Sequence, residues 1–246
     1  MSRYFVDFAS GDQAAYSTAL AVYEALAAWL AQKGPQYGLS SFDELDEAGR
    51  ETLSAVYEGD TKISLTPSSF SPPPSLLLPR LYLTLSSSPG LKKTTANFHA
   101  LITNEKQLKS KSKKQEELKY EGCKVFRVEK EFVAQMGDVT RQDGSGGESI
   151  YGGTFSDEKE GLKIPFELGT VAMANSGKNS NTSQFFLTLT SSPDKLKKLT
   201  GKYVAFGQVD LSDVGSKECL ARLDGLGDGK GGTREPVWIE KCGIVV

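Results

Sequence analysis

The sequence predicts a mainly β protein, a closed barrel capped by helices, with an added helical segment near the N-terminus. Short strand-like runs recur along the 246 residues, and glycine-containing turns separate most of them. Helical periodicity is confined to a few segments. Many short strands joined by glycine turns are typical of a sheet that closes on itself, because closure removes exposed strand edges.

The predicted strands share aromatic and aliphatic residues bounded by turn residues. Two further strands are expected within the segment CKVFRVEKEFVAQMGDVT, residues 123–140. The other segments are RYFVDFA, RLYLTL, TVAMAN, QFFLTL, YVAFGQV and VWIEKCGIV.

Helices are predicted in four segments. Apolar residues fall at helical spacing over residues 12–33, and Gly34-Pro35 ends that run. A second, weaker helix follows Ser41 and Glu44, which have the spacing of a capping box. Shorter helices are expected in LKKTTANFHALITNE, with Thr94 or Thr95 near its start, and in SKECLARLD.

Two segments are predicted to lack regular structure. Residues 66–79, TPSSFSPPPSLLLP, are rich in proline and serine and are expected to be an extended linker. The charged run KQLKSKSKKQEELK is expected to be a mobile, solvated loop, and a basic binding patch is the alternative interpretation.

The bulk composition limits the partners and the compartment. A formal net charge of −2 argues against nucleic acid or an acidic membrane as the main partner. The residues MSRYFVDFASGD contain no basic region followed by an apolar run, so no secretory signal is expected, and no apolar stretch is long enough to predict a bilayer span. The three cysteines are predicted to be free thiols, as expected in the cytoplasm or another reducing compartment.

A single histidine, His99, restricts the possible chemistry. Any Ser-His-Asp or Cys-His triad would have to use it, and a zinc site with several histidines is impossible. His99 lies among ordinary helix formers and is predicted to be a solvated helix position. The sequence therefore predicts neither a metal site nor a cofactor.

One polar stretch carries a specific motif. The segment MANSGKNSNTSQFFLT, residues 173–188, resembles the Met-Ala-Asn-x-Gly-x-Asn-x-Asn-x-Ser-Gln-Phe-Phe signature of the cyclophilins, the peptidyl-prolyl isomerase family. TTANFHAL resembles that family's first helix, and the segment from residue 120 to 158 resembles its active-site strand pair and glycine loop. GKYVAFGQV and PVWIEKCG follow in the family's order, so the resemblance covers residues 78–246.

The resemblance implies an antiparallel barrel of eight strands. RYFVDFASGD looks like the first strand of the family's first hairpin, and PRLYLTLSS looks like the second. Residues 1–246 would then form a single domain, with residues 11–77 as a helical and proline-rich insertion in that hairpin. The alternative is a separate N-terminal segment over residues 1–66, with residues 67–79 as its linker.

The activity that the resemblance implies is isomerisation of X-Pro bonds, which needs no acid, base or nucleophile. Rotation about the amide faces about 18–20 kcal/mol, because resonance must be broken. An enzyme lowers this barrier by binding the twisted amide better than either planar isomer. Such a site needs an apolar pocket, anchors for the flanking backbone and a cation of fixed geometry, for which a guanidinium is suited.

The residues that match the family's functional positions follow from the motifs. By this resemblance, Arg127 is the catalytic arginine, while Gln135 and Gln184 orient it and the substrate backbone. The wall of the proline pocket is matched by Phe132, Val133, Phe186 and Leu199. Ala174 and Asn175 match the strand edge that binds the peptide, and the neighbouring groove is matched by Gly144, Ser145, Ser176 and Ser180.

The sequence departs from the family's pattern at three positions. Phe126 and Tyr203 stand where the family usually has histidine, and both are expected to border the substrate. Lys198 stands where many members have tryptophan. These differences predict reduced turnover and weak binding of cyclosporin-type inhibitors.

A second hypothesis is that the chain is a weakly active or inactive scaffold subunit of a larger protein assembly. In that case the helical segment 11–77 would dock on a partner, using Tyr23, Trp29 and the SPPPSLLLP stretch. The segment could equally cover its own barrel. For the enzyme hypothesis, the expected partners are proline-containing peptides or proteins.

Overall fold

A computed structural model describes residues 2–111 and 115–245. Eight β-strands dominate the part of the chain outside residues 12–76. They are β1 (Arg3–Ser10), β2 (Leu81–Leu85), β3 (Val125–Glu129), β4 (Val133–Met136), β5 (Thr170–Met173), β6 (Phe185–Thr188), β7 (Ala205–Val209) and β8 (Val237–Ile244). Every predicted strand segment contains one of these strands, or two in the case of residues 123–140.

The strands form one antiparallel sheet that nearly closes into a barrel. Their order is β3-β4-β6-β5-β7-β2-β1-β8, and all pairings within it are antiparallel. The two ends of this order meet, because Lys124 forms a bridge with Trp238 and the Ile239 N–H donates to the Cys123 carbonyl at 2.8 Å. The predicted mainly β, eight-stranded barrel is confirmed.

The α-helices described outside residues 12–76 are α3 (Lys92–Thr103), α4 (Pro193–Lys197) and α5 (Val214–Gly225). Phe98 of α3 is fully buried and meets the rings of Phe185 and Phe206, each with a centroid distance of 5.1 Å. Helix α5 is tied to β2 by a hydrogen bond of 2.9 Å from the Tyr82 N–H to the Ser216 hydroxyl. The sequence patterns predicted α3 and α5 but missed α4.

His99 on α3 is not the solvated residue that was predicted. It is half-buried, its Nδ1 lies 2.8 Å from the Tyr4 hydroxyl, and its Nε2 lies 3.2 Å from a Glu105 carboxylate oxygen. The prediction failed because β1 brings Tyr4 against this helix from a distant part of the sequence.

The charged run of residues 106–119 lies partly outside the described residues, at 112–114. The segments on either side of them are paired by backbone hydrogen bonds. The Leu118 N–H donates to the Leu108 carbonyl at 2.7 Å, and the Ser110 N–H donates to the Glu116 carbonyl at 2.8 Å. The described flanks of the run are therefore paired with each other.

The three cysteines, Cys123, Cys219 and Cys242, are free thiols. Burial raises the pKa of each to about 12. Thiolate is the reactive form of cysteine, so these side chains act as small apolar residues of the folded chain.

Strands β1 and β2 form a hairpin with an unusually long connection. Arg3 pairs with Thr84 and Val6 with Leu81, and beyond this register the Leu78 N–H donates to the Phe8 carbonyl at 2.8 Å. The chain therefore leaves and re-enters the barrel at adjacent points. Residues 12–76 between these points form a compact unit of their own.

The unit of residues 12–76 contains α1 (Gln13–Lys33) and α2 (Glu47–Thr61). Its core consists of Leu26, Trp29, Leu30, Leu39, Leu53 and Tyr57. The Asp12 carboxylate caps α1 by accepting from the Ala15 N–H at 2.9 Å. The Pro/Ser-rich segment expected to be a linker contributes Phe70, whose ring meets that of Phe42 edge-on at 6.5 Å.

The capping box predicted at Ser41 and Glu44 is wrong. Ser41 makes no side-chain capping bond, and Glu44 accepts instead from the Ser40 hydroxyl. Helix α2 begins later, at Glu47, where the Asp46 carboxylate accepts from the Gly49 N–H at 2.8 Å. Asp46 is an equally good capping residue. The extended backbone of Leu45 prevents one continuous helix from including both candidate starts.

No helix among residues 2–111 and 115–245 is both long enough and apolar enough to cross a bilayer.

Candidate active site

The candidate site lies on one face of strands β3, β4, β6 and β5. Directly opposed residues of an antiparallel pair point to the same face. The register places Arg127 opposite Gln135 and Gln135 opposite Phe186, so these three side chains share a face. Alternate residues such as Ala134 and Phe185 point the other way, into the barrel core.

A row of hydrogen bonds joins the three polar residues expected at the site. Arg127 Nη1 donates to Gln135 Oε1 at 3.1 Å, and Gln135 Nε2 donates to Gln184 Oε1 at 2.9 Å. Gln184 Nε2 in turn donates to the carbonyls of Gly144 and Gly146, at 2.9 and 2.7 Å. The row fixes the arginine side chain relative to the glycine loop.

Arg127 has a second acceptor on its own strand. Its Nη2 donates to the Glu129 carboxylate, which lies two residues further along β3 and therefore on the same face. The arginine side chain remains 45% exposed. The guanidinium is thus held from two sides and still open to solvent.

An apolar cluster adjoins the polar row on the same face. Phe186 is buried, and its ring meets that of Tyr203 edge-on at 5.2 Å and stacks at 6.1 Å on that of Phe166. Val133, Ala174 and Leu199 belong to the buried part of the cluster, with Ala172, Leu196 and Ala205, while Phe132 and Tyr203 are half-buried. The cluster contains all of the residues predicted to form the proline pocket.

Phe126 lies against the glycine loop. Gly144 adopts φ +88°, and a Cβ added there would approach the Phe126 ring to 2.5 Å. Gly144 is therefore required both for its backbone conformation and for its contact with this ring.

Some hydrogen-bonding groups of the strand edge at Ala174 and Asn175 already have partners within the chain. The Ala174 N–H donates to the Gln184 carbonyl at 2.9 Å, so it is used within the sheet. Asn175 Nδ2 donates to the Lys202 carbonyl at 3.0 Å, and its Oδ1 accepts from the Gly177 N–H at 3.2 Å. The Asn175 side chain thus fixes its own loop.

Two of the four residues expected to line the neighbouring groove border separate cavities. Ser145 lines a cavity of about 630 Å³ beside the glycine loop, together with Thr140 and Arg141. Ser176 lines a different cavity of about 920 Å³, and its N–H donates to the Ser180 hydroxyl at 3.0 Å.

Asp138 organises the glycine loop, and sequence reasoning missed it. One carboxylate oxygen accepts from the N–H groups of Thr140 and Arg141, at 3.2 and 2.9 Å, and the other from Gly144 and Gly146, both at 3.0 Å. Burial raises the pKa of Asp138, but these N–H donors lower it by more, so that the pKa lies below its usual value. An aspartate just ahead of a glycine-rich loop was the available signal.

Sequence reasoning also missed Phe166 and Leu196 of the apolar cluster. Phe166 belongs to an irregular segment between the glycine loop and β5, where no periodicity marks a buried ring. Leu196 lies on α4, whose five residues are too few for a helical pattern.

The geometry defines a class: an antiparallel β-barrel that carries a fixed arginine and an adjoining, partly aromatic apolar cluster on one face of its sheet. The family model described as "Cyclophilin type peptidyl-prolyl cis-trans isomerase/CLD" matches residues 89–244, more than half of the chain. The chain belongs to the cyclophilin-type peptidyl-prolyl isomerase family, and the resemblance predicted from the sequence is confirmed.

Proposed function

We propose that the chain is a peptidyl-prolyl cis-trans isomerase that acts on X-Pro bonds of peptides and proteins, without a metal or cofactor. The observation that supports this most strongly is the position of Arg127. Its guanidinium is fixed by Gln135 and stands beside the apolar cluster around Phe186. A cation next to an apolar surface is the pairing that the proposed rotation of a prolyl amide needs.

In the proposed mechanism, the proline ring enters the pocket formed by Phe132, Phe186 and Leu199, with Tyr203 at its rim. Rotation about the X-Pro bond pyramidalises the amide nitrogen and localises its lone pair, because resonance is lost. The Arg127 guanidinium then stabilises the twisted amide more than the planar one. Only interactions that are stronger in the transition state accelerate the step.

The polar row reduces the cost of reorganisation. Gln135 holds Arg127, and Gln184 holds Gln135 while also bonding the glycine loop. A preorganised donor needs little rearrangement when the amide twists. Asn175 and Ala174 would present backbone to the extended peptide, with the Ala174 N–H excepted because the sheet already uses it.

A protease-coupled assay on a peptide with one X-Pro bond tests the proposal. The wild-type chain is compared with Arg127→Ala and with Arg222→Ala, an exposed arginine on α5 that also pairs with a carboxylate. The proposal expects catalysis by the wild type and by Arg222→Ala but not by Arg127→Ala. Equal, uncatalysed rates for all three proteins would refute it.

The second candidate function is a scaffold role, and one observation favours it. Residues 12–76 form a compact unit with its own buried core, and this unit lies outside the matched range 89–244. An extra folded unit on a family domain is a reasonable place for a partner to bind.

Deletion of this unit tests the scaffold role. The chain enters and leaves the barrel at adjacent points, near Phe8 and Leu78, so a short turn can replace residues 12–76. Loss of co-purifying proteins with retained isomerase activity would support docking through the unit. An unchanged set of co-purifying proteins would count against it.

A further inference from the structure

The larger cavity beside the proposed groove, here called the lysine cavity, has no role in the mechanism above. It measures about 920 Å³. It shares Asn175 and Tyr203 with the candidate active site, so the two sites are contiguous. Its remaining lining residues are Ser156, Asp157, Lys159, Leu162, Ser176, Gly177, Lys178, Asn179, Gly201 and Lys202.

The charge of the lysine cavity is unbalanced. Three lysines, Lys159, Lys178 and Lys202, line it against a single carboxylate, that of Asp157. Both carboxylate oxygens of Asp157 already accept hydrogen bonds, one from the Asn179 N–H at 2.9 Å and the other from Asn181 Nδ2 at 2.8 Å.

Neighbouring acidic residues that the structure describes form hydrogen bonds elsewhere and no ion pairs with these lysines. Glu158 accepts from the N–H groups at the start of α3, and Glu160 accepts from the Ser88 hydroxyl. Among residues 2–111 and 115–245, none of the nine ion pairs involves Lys159, Lys178 or Lys202. The three lysines thus outnumber the lining carboxylate, that of Asp157, and the cavity lining carries a net positive formal charge.

The loop that carries Lys178 is held in place by its own hydrogen bonds. The Ser180 hydroxyl donates to the Gly177 carbonyl at 2.6 Å and accepts from the Ser176 N–H at 3.0 Å. The Asn179 N–H ties the loop to Asp157. The backbone that positions this ammonium group is thus ordered before any ligand binds, which lowers the entropic cost of binding.

The other two lysines stand on equally fixed backbone. The Lys202 carbonyl accepts from Asn175 Nδ2 at 3.0 Å, which joins this lysine to the proposed peptide-binding edge. Next to Lys159, the Gly161 N–H donates to the Glu158 carbonyl at 3.0 Å, and Gly161 is buried.

We infer that the lysine cavity binds an acidic side chain of the same peptide whose proline occupies the apolar pocket. The preferred substrates are then X-Pro segments with aspartate or glutamate close to the proline. Because an extended chain advances roughly 3.3–3.6 Å per residue, an acidic residue a few positions from the proline can reach a cavity that begins at Asn175 and Tyr203. This inference rests on the proposed function.

Labelled peptides with one Ala-Pro bond test the inference by fluorescence anisotropy. One pair carries Glu or Gln two residues before the proline, and a second pair carries Glu or Gln two residues after it. In at least one pair the Glu peptide is expected to bind about fivefold more tightly, since exposed ion pairs contribute up to about 1 kcal/mol. Salt of about 0.5 M should reduce this gain.

Substitutions of the lysines test whether the gain in affinity for Glu peptides comes from the lysine cavity. The triple variant Lys159→Gln, Lys178→Gln, Lys202→Gln should bind Glu and Gln peptides equally, and Lys178→Gln alone should lose part of the gain. Lys217→Gln, on the exposed surface of α5, should retain all of it. A neutral peptide should bind all these proteins alike.

Three results would overturn the inference. The first is equal affinity for Glu and Gln peptides in both pairs, and the second is a gain in affinity that survives the triple substitution. The third is an equal gain in affinity for acidic peptides with Ala-Ala in place of Ala-Pro, which would indicate a separate anion site. Failure of the proposed function looks different, because the neutral Gln peptides would then isomerise at the uncatalysed rate.

Discussion

The Arg127 guanidinium is shared between Gln135 and Glu129, an amide on one side and a carboxylate on the other. Gln135 Oε1 accepts from Nη1 at 3.1 Å, while the Glu129 carboxylate accepts from Nη2. Gln135 orients the cation without reducing its charge. Glu129 also orients it but offsets part of the positive potential that a twisted amide would experience.

Glu129→Gln is therefore expected to increase isomerase activity. The amide keeps a hydrogen-bond acceptor near Nη2 but removes the negative charge, so we predict a rise of about threefold in kcat/KM for a neutral peptide, consistent with the small energies of exposed ion pairs. The assay is peptide isomerisation at low ionic strength. Glu121→Gln, whose side chain pairs with Lys119, is the control and should change nothing. A fall in activity for Glu129→Gln would show that the charge itself is needed.

Asp138→Asn should destabilise the chain by about 2 kcal/mol at pH 7, because a buried acceptor of four backbone N–H groups loses its charge. The pKa of Asp138 is lowered in the folded state. Its contribution is therefore complete above the unfolded pKa of about 4 and is lost as the pH falls through the folded pKa.

Urea unfolding at several pH values measures this contribution. The difference in free energy of unfolding between the wild type and Asp138→Asn should be constant from pH 7 to about pH 5 and shrink below about pH 4. Asp194→Asn, an exposed residue of α4, is the control and should leave stability unchanged. A difference that grows on acidification would contradict the assignment.

Lys198→Trp should improve binding of cyclosporin-type inhibitors. Lys198 is exposed and precedes Leu199 of the apolar cluster, so a ring there would extend the pocket wall. A well-placed aromatic contact predicts roughly tenfold tighter binding. Isothermal titration calorimetry is the measurement, with Lys197→Trp as the matched control. Equal affinity of the two variants would mean that position 198 does not border the inhibitor site.

Leu53→Ala should destabilise the unit of residues 12–76. Leu53 is fully buried in that unit's core, and removal of such a side chain costs about 2–5 kcal/mol. Hydrogen exchange should show faster exchange of the amides of α1 and α2. Ala55→Gly, at an exposed position of α2, is the milder control, expected to cost about 1 kcal/mol. Unchanged exchange in α1 for Leu53→Ala would mean that the two helices do not share a core.

Alternation and turn residues were sufficient to predict the strands, because each strand is a local pattern. The same patterns did not supply Asp138 or Phe166. The role of Asp138 depends on the N–H groups that converge on it, for which its place ahead of a glycine-rich loop is only an indirect signal, and that of Phe166 depends on the ring of Phe186. The start of α2 was misplaced because Ser41 and Asp46 are both acceptable capping residues, and only the backbone between them decides.

The sequence singled out some residues of the candidate site and gave no signal for others. The motif around residues 173–188 singled out Phe186 and Gln184, and both lie beside Gln135, Phe186 by strand register and Gln184 by a hydrogen bond. Glu129 gave no signal in the sequence, where it is one charged residue among several. Its contact with Arg127 follows from the two-residue period of β3.

The most direct test of the central claim is to measure, by exchange NMR, both the affinity of Arg127→Ala for an Ala-Pro peptide and the rate of its isomerisation. If Arg127 acts on the twisted amide, peptide affinity should stay within about twofold of the wild type, while kcat falls roughly 100-fold or more, as for other groups that stabilise a transition state. A variant that binds much more weakly but turns over bound peptide at the wild-type rate would contradict the account.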